Sequence, residues 1–325
     1  MTDKILLWEE GEYNYKGAFG FMPNLHSYLH EDQEARRPCM LVAPGGGYRM
    51  VSPTEGEIVA KRFWEMGYQT FVLTYTTNVA DVAPLNMQPL EDISRAVRII
   101  RKNSDLYGID ADRIYACGFS AAGHLVGSLC VHSEDVVEKN EKYQGISNRL
   151  NAAILSYPVV TSGEYAHRDS FVALLGADAS EEKLNYFSLE KQVTEQTPPI
   201  FLWQTLTDEL VPVENSMLMA KALRAHGVPF AIHLFESGAH GLSLANDTWA
   251  KTGFTTGTYT NDQFFALVQA AKEGKVELTD AIKPLVDLLN TPKEQVEQLM
   301  PPGIPNESVA HWPQLADCWI RNLPK

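Results

Sequence analysis

The chain has 325 residues, of which 45% are hydrophobic, and its formal net charge is −14. A hydrophobic fraction of this size is enough for one large α/β domain or two smaller ones. The acidic balance argues against binding to nucleic acid or to an anionic membrane surface, because both carry negative charge. We therefore expect a small-molecule partner.

The N-terminus and the cysteines give information on the compartment. The first ten residues contain no long apolar segment, and no apolar stretch of 18 residues occurs anywhere in the chain, so neither a signal peptide nor a membrane span is predicted. The four cysteines have no CxxC or CxxH spacing, so no zinc or haem site is expected. Free thiols in a cytoplasmic protein are the predicted state.

Strands and helices are predicted to alternate along the chain. After an irregular lead over residues 1–37 with short edge strands at 5–8 and 25–29, six apolar runs predict strands: Cys39–Ala43, Thr70–Tyr75, Arg113–Cys117, Ala152–Tyr157, Pro199–Gln204 and Phe230–Phe235. Helices are predicted from periodicity and end signals: residues 55–66, 89–102, the segment from after Ser120 to about Val131, 212–226 and 312–323. This alternation predicts a mostly parallel central sheet with helices on both faces.

Two segments interrupt the alternation. Residues 159–197 lack strong strand signals and are expected to form an excursion over the site. Residues 245–310 begin with a predicted loop at 252–260 and continue with helical pieces, the clearest of which opens with a capping box at Thr291–Glu294. Without an internal repeat or a linker, residues 1–325 are predicted to form a single domain with a helical insertion.

Three reactive residues follow predicted strands. Parallel sheets of α/β proteins bind ligands beyond the carboxyl ends of their strands. Ser120, Asp208 and His240 each come soon after a different strand, and their order is that expected of α/β-hydrolases. A serine hydroxyl needs a base to become a nucleophile, which His240 can supply with Asp208 as its orienting partner.

A glycine turn follows the first buried strand. Gly46 and Gly47, together with Ala121, are the candidates for backbone donors of an oxyanion hole, because glycine lets such donors approach a substrate oxygen to about 3 Å. A phosphate loop is the alternative for these glycines. It is disfavoured because neither its Gly-Lys-Ser/Thr ending nor a Gly-x-Gly-x-x-Gly pattern is present.

Each candidate has a structural alternative. Ser120 would fit a strand-to-helix turn without chemistry, Asp208 a helix N-cap or turn former, and His240 an ordinary loop histidine. Glu209 is the nearest rival of Asp208 as the catalytic acid, but Asp208 has the better spacing before Val211 and Pro212. The joint occurrence of these features after successive strands favours the catalytic interpretation. Two further histidines are expected to have structural roles: His124 and His233.

With these residues in place, the sequence resembles the bacterial acetyl esterase/acetylxylan-esterase-like branch of the α/β-hydrolases, which is related to the hormone-sensitive-lipase-like esterases. The resemblance covers roughly residues 38–245 and the C-terminal helix. Its motifs are Pro44–Tyr48, Gly118–Leu125, Ser156–Pro158, Ser162–His167, Asp208–Ser216 and His240–Leu242.

The resemblance implies an α/β-hydrolase fold and a serine carboxylesterase without metal or cofactor. Ser120 would act as nucleophile, His240 as base and Asp208 as its partner. Tyr48 and Phe119 are candidate substrate contacts, and for Tyr48 simple packing is the alternative. The expected substrate is a small or oligosaccharide ester of a short acid, with acetyl favoured. A serine peptidase of the prolyl-oligopeptidase type and a catalytically silent ligand-binding hydrolase fold are the alternatives.

Three features depart from the family pattern. Ala122 occupies a position where relatives commonly have glycine. The added methyl group is expected to be tolerated, with a tighter turn as the alternative. Pro44 precedes the glycines where a histidine is common. Residues 245–310 exceed what many relatives carry, and we expect them to cover the site, to restrict acyl length or to form a contact between copies of the chain.

Overall fold

The computed structural model describes residues 3–32, 36–252, 255–278, 283–284 and 303–324. Its central feature is an eight-stranded sheet. The strands are β1 (Lys4–Leu6), β2 (Asn24–Tyr28), β3 (Arg37–Ala43), β4 (Gln69–Thr74), β5 (Ile109–Phe119), β6 (Ala152–Ser156), β7 (Ile200–Thr205) and β8 (Phe230–Phe235). Their order in the sheet is β1-β2-β4-β3-β5-β6-β7-β8, in which β2 is antiparallel to both neighbours and all other neighbours are parallel.

Helices cover both faces of this sheet, as predicted for an α/β-hydrolase. They are α1 (Glu57–Glu65), α2 (Gln88–Lys102), α3 (Ala121–His132), α4 (Arg168–Leu175), α5 (Glu181–Tyr186), α6 (Glu214–Ala225), α7 (Asp247–Thr252), α8 (Asp262–Lys272) and α9 (Trp312–Arg321). The apolar sides of α2, α3 and α6 share one core, whereas α1 and α9 contribute to a second core on the opposite face.

The inner parts of the central strands are mostly apolar because both faces of these strands are covered. In β3, Leu41 lies in the core with α2 and α3, while its neighbours Met40 and Val42 lie in the core with α1 and α9. Successive side chains of a strand point to opposite faces, so a strand between two helical layers has no polar side.

The structure extends or corrects several sequence-based boundaries. Strand β5 begins at Ile109 and not at residue 113. Its first residues include Asp110 and Asp112, so they do not form part of an apolar run in the sequence. Within the predicted loop at 252–260, Thr258–Asn261 forms a 3₁₀ turn. The predicted capping box at Thr291–Glu294 lies outside the described residues.

Residues 245 and 306 are distant in sequence but are hydrogen-bonded to each other. The amide of Asn306 donates to the carbonyl of Ala245 at 2.8 Å, and its side-chain amide donates to the carbonyl of Ser237 at 2.8 Å. The indole of Trp312, which opens α9, donates to the carbonyl of Ser243 at 2.8 Å. The segment between these residues is therefore anchored at both ends.

Across the described ranges, no helix has the length and apolarity needed to cross a membrane. All four cysteines are unpaired; Cys39, Cys117 and Cys130 are buried and Cys318 is exposed.

A buried arginine connects the N-terminal lead to the helical layer. Arg95 of α2 is only 2% exposed, and its guanidinium contacts Glu138 at 2.7 Å and Glu12 at 3.1 Å. The same group lies over the ring of Trp8 at 4.3 Å and that of Tyr143 at 4.8 Å. This cluster joins three separate stretches of chain on one side of the sheet.

Replacing Arg95 by methionine should lower the free energy of unfolding by about 3 kcal/mol, because it leaves the carboxylates of Glu12 and Glu138 without their main partner. The matched control is Arg62→Met, which removes a partly exposed pair with Glu65 and should change stability by less than about 1 kcal/mol. Urea unfolding of both variants measures the difference. Equal effects of the two substitutions would contradict the prediction.

Candidate active site

Ser120 occupies the sharp turn between β5 and α3. Its backbone has φ 52° and ψ −121°, a conformation that is strained for a residue with a side chain. The turn is fixed from both sides, because the amide of Ser120 donates to the carbonyl of Ser156 at 2.9 Å and its carbonyl accepts from the amide of Val159 at 3.1 Å. These bonds to the segment after β6 hold the strained residue at the carboxyl edge of the sheet.

The small residues around Ser120 are explained by close packing of the turn. A Cβ at Gly118 would lie 2.2 Å from the carbonyl oxygen of Ala122, which no side chain tolerates. Ala122 itself is fully buried and fits beside this glycine. A side chain therefore cannot be accommodated at position 118, whereas the methyl group of Ala122 fits at position 122.

The structure brings the three separated polar residues together. His240 Nε2 lies 2.8 Å from Ser120 Oγ, and His240 Nδ1 lies 2.8 Å from Asp208 Oδ2. A carboxylate can only accept, so Nδ1 carries the proton that faces Asp208 and Nε2 is left to accept from the serine hydroxyl. The result is a continuous hydrogen-bonded chain from carboxylate to hydroxyl.

Asp208 is held in its charged form. Its side chain is 1% exposed, and burial by itself raises the pKa of the carboxyl. The hydrogen bond from His240 and those from the amides of Val211 and Leu210, at 2.9 and 3.0 Å, outweigh burial and keep this pKa below its usual range. At neutral pH the histidine therefore faces a carboxylate.

Glu209, the rival acid in the sequence, is placed differently. Its carboxylate accepts from the backbone amide of His240 at 3.3 Å and is exposed, whereas the imidazole ring is bonded to Asp208. Asp208 is thus the acid that can orient the ring.

The glycine turn after β3 lies against Ser120. A Cβ at Gly45 would be 3.0 Å from the Cβ of Ser120, and Gly46 has φ 125°, which only glycine adopts readily. The amide of Gly45 is occupied by Glu55 Oε2 at 2.8 Å. Within the described part of the chain, no group accepts a hydrogen bond from the amides of Gly46 and Gly47. The amide of Ala121 opens α3, where the first amides of a helix have no partner inside the helix.

Tyr48 and Phe119 do not occupy the positions expected of substrate contacts. Their exposed fractions are 1% and 0%, because Tyr48 points its hydroxyl at His124 Nδ1, 2.8 Å away, and Phe119 packs against Trp312. Both side chains are parts of the core, so the structure does not support direct contact with substrate.

The other histidines near these elements pack within the fold. His124 is buried, its Nε2 contacts the carbonyl of Phe187 at 2.7 Å, and burial lowers its pKa to about 4, so it is neutral. His233 stacks on Phe201 with ring centroids 5.0 Å apart. Both residues lie as expected from the sequence.

Two residues that lie beside the site were not identified as site residues from the sequence. Tyr157 follows β6, and its ring meets that of His240 edge-on with centroids 4.9 Å apart. Glu55 is buried between Gly45 and Tyr157. The only signal was indirect: Tyr157 lies within one of the family motifs, and Glu55 had the appearance of an acid at a helix start.

The segment at 159–197 also approaches the site. His167, just before α4, has its pKa lowered by burial, with the charges of His240 and Asp208 acting on it in opposite directions. Its Nδ1 lies 2.8 Å from Ser170 Oγ. Among the residues described here, no group of histidine, cysteine or acidic side chains is arranged to hold a metal ion. The arrangement suits activation of a hydroxyl for attack on a carbonyl.

Comparisons with known proteins identify the family of the chain. A family model described as BD-FAE matches residues 25–223. The chain is 52% identical over 257 residues to endo-1,4-beta-xylanase B of Butyrivibrio fibrisolvens and 28% identical over 239 residues to an acetylxylan esterase of Xylanibacter ruminicola. These matches cover 79% and 69% of the chain, which spans only 40% and 46% of the two relatives.

A solved structure is similar over nearly its whole length. It is that of an acetyl ester-xyloside bifunctional hydrolase from Caldicellulosiruptor lactoaceticus, with 35% sequence identity and a TM-score of 0.71. The match covers 85% of this chain and 97% of that one.

If Asp208 orients His240, then Asp208→Asn should lower kcat for an activated ester by about 10⁴-fold, because an amide favours the wrong tautomer of the ring. Glu209→Gln is the matched control and should leave kcat nearly unchanged. Steady-state kinetics of both variants tests the assignment. A large loss in the Glu209 variant, with activity kept in the Asp208 variant, would reverse the two roles.

Proposed function

The chain belongs to the BD-FAE family of α/β-hydrolases, and we propose that it is a carboxylic ester hydrolase that works through Ser120 as nucleophile. The observation that carries this proposal is the hydrogen-bonded chain from Ser120 through His240 to Asp208. The unoccupied amides beside Ser120 support it further.

In the first half of the proposed reaction, Ser120 Oγ attacks the ester carbonyl while His240 Nε2 takes its proton. Asp208 stabilises the imidazolium that forms. The negative oxygen of the tetrahedral intermediate is stabilised by the amides of Gly46, Gly47 and Ala121, each worth roughly 3 kcal/mol in the transition state. His240 then donates its proton to the leaving alcohol, which leaves an acyl group on the serine.

In the second half, water replaces the alcohol. His240 accepts a proton from water, the hydroxide attacks the acyl-enzyme, and the collapse of the second intermediate returns the proton to Ser120 and releases the acid. The residues present supply every proton acceptor and donor in this sequence.

We further propose that the acyl group is short, with acetyl favoured, and that the alcohol is a small molecule or an oligosaccharide. Support comes from similarity to proteins described as an acetylxylan esterase and as an acetyl ester-xyloside hydrolase. The 52% identity to a protein described as a xylanase favours a xylan-derived alcohol.

Ser120→Ala should reduce turnover of 4-nitrophenyl acetate by at least about 10³-fold, because it removes the nucleophile. Ser104→Ala, in the turn before β5 at the opposite edge of the sheet, is the control and should behave as the wild type. Undiminished turnover by the Ser120 variant would refute the proposed mechanism, and failure of a fluorophosphonate probe to label the wild type would favour a silent binding protein.

The acyl preference predicts that kcat/KM falls by about tenfold or more along the series from acetyl to butyryl to octanoyl nitrophenyl esters. Acetylated xylo-oligosaccharides should release acetate, as measured by an acetate assay, whereas aminoacyl nitroanilides should not be cleaved. A rising acyl series would indicate a lipase-like pocket, and anilide cleavage would indicate a peptidase.

A further inference from the structure

Glu55 is a buried carboxylate behind the glycine turn. It ends the 3₁₀ turn Pro53–Glu55 and is 4% exposed. Both of its oxygens accept from uncharged donors: Oε2 from the amide of Gly45 at 2.8 Å and Oε1 from the hydroxyl of Tyr157 at 2.6 Å. Burial raises the pKa of Glu55, and the two hydrogen bonds and the charge of His240 lower it in part. Burying an acid in this way is costly, so its position calls for an explanation.

The carboxylate belongs to a closed ring of hydrogen bonds. The hydroxyl of Tyr157 accepts from the amide of Ser243 at 3.1 Å, three residues after His240. The hydroxyl of Ser243 donates to the carbonyl of Thr54 at 2.7 Å, next to Glu55. The ring therefore joins the glycine turn, the segment after β6 and the loop that carries His240.

This ring lies directly behind the reacting groups. A Cβ at Gly45 would be 3.0 Å from Glu55 Oε2 and also 3.0 Å from the Cβ of Ser120, so the carboxylate and the nucleophile flank the same piece of backbone. On the other side, the ring of Tyr157 contacts the ring of His240 edge-on. A shift of Glu55 would therefore move both the glycine turn and His240, which flank Ser120.

We propose that Glu55 is a positioning residue for ester hydrolysis, which fixes the glycine turn as an oxyanion donor and holds the His240 loop through Tyr157 and Ser243. This inference rests on the proposed function of Ser120. The amides of Gly46 and Gly47 follow directly after the bond from Gly45, so rotation of the turn moves both donors together. A displacement of about 1 Å at such a site lowers the rate by about 10²-fold.

Two conservative substitutions separate this role from bulk packing. A glutamine at position 55 has the same shape, but it has one acceptor oxygen and one donor group, so it cannot accept from both Gly45 and Tyr157. Tyr157→Phe keeps the ring against His240 and removes only the hydroxyl. Glu57→Gln, two residues away in an ion pair with Lys61, is the control outside the ring.

The experiment uses the whole 325-residue chain. It measures the kinetics of 4-nitrophenyl acetate hydrolysis and the inhibition by phenylboronic acid. This inhibitor forms a tetrahedral adduct on the serine. We expect Glu55→Gln to lower kcat by about 10- to 100-fold with little change in KM, and to weaken boronate inhibition by a similar factor. Tyr157→Phe should act in the same direction, and the double variant should be less impaired than the product of the two single effects. The Glu57 variant should match the wild type.

Wild-type kcat and inhibitor affinity in both ring variants would overturn the inference. So would a lower melting temperature with unchanged kcat per folded molecule, because that result indicates a purely structural role. If Glu55→Gln does not fold, Tyr157→Phe decides the question by the same two readouts. If the proposed function itself is wrong, the Ser120→Ala variant will hydrolyse the ester as well as the wild type does. This result distinguishes failure of the proposed function from failure of the role of Glu55.

Discussion

The geometry of the site depends on the backbone of Ser120, which is held at a positive φ that costs on the order of 1–3 kcal/mol. Such a conformation persists only where its surroundings fix it. Here the fixing groups come from the neighbouring strand, because Ser156 ends β6 and Val159 follows it. The parallel pairing of β5 with β6 thus maintains the strain that exposes the serine hydroxyl.

The same pairing explains why the other groups meet at this point. The glycine turn follows β3, Ser120 follows β5, Tyr157 follows β6, Asp208 follows β7 and His240 follows β8, and these strands are consecutive neighbours in the sheet. Parallel strands end at one edge, so residues far apart in sequence are collected within a few ångströms there. The strand order alone therefore brings together the residues of the hydrogen-bonded chain.

Two carboxylates approach the site in different environments. Asp208 receives amide hydrogen bonds that favour its charge, whereas burial of Glu55 opposes ionisation. His240 is hydrogen-bonded to Asp208. It contacts Glu55 only through Tyr157, whose ring meets the imidazole and whose hydroxyl donates to Glu55. Local surroundings therefore shift the pKa values of two carboxylic acids near one site in opposite directions.

Sequence reasoning was most successful where the signal is local. Apolar runs predicted the central strands, and the position of Ser120, Asp208 and His240 just after strands predicted that they would be neighbours. Contacts between distant segments were not accessible: Glu55 and Tyr157 are 102 residues apart, and nothing in either segment indicates the other. The burial of Tyr48 and Phe119 was not accessible from the sequence, because adjacency to a motif does not tell whether a side chain faces the site or the core. The catalytic roles themselves stay predictions.

The anchoring of the chain at Ala245 and Asn306 has a consequence for how this fold can vary. Because Asn306 is hydrogen-bonded to Ala245 and Trp312 to Ser243, the residues just after the His240 loop are held by groups that lie beyond the intervening segment. The entropy of closing a loop grows only slowly with its length. Changes in the length of the chain between Ala245 and Asn306 should therefore cost little stability as long as these two hydrogen bonds are kept.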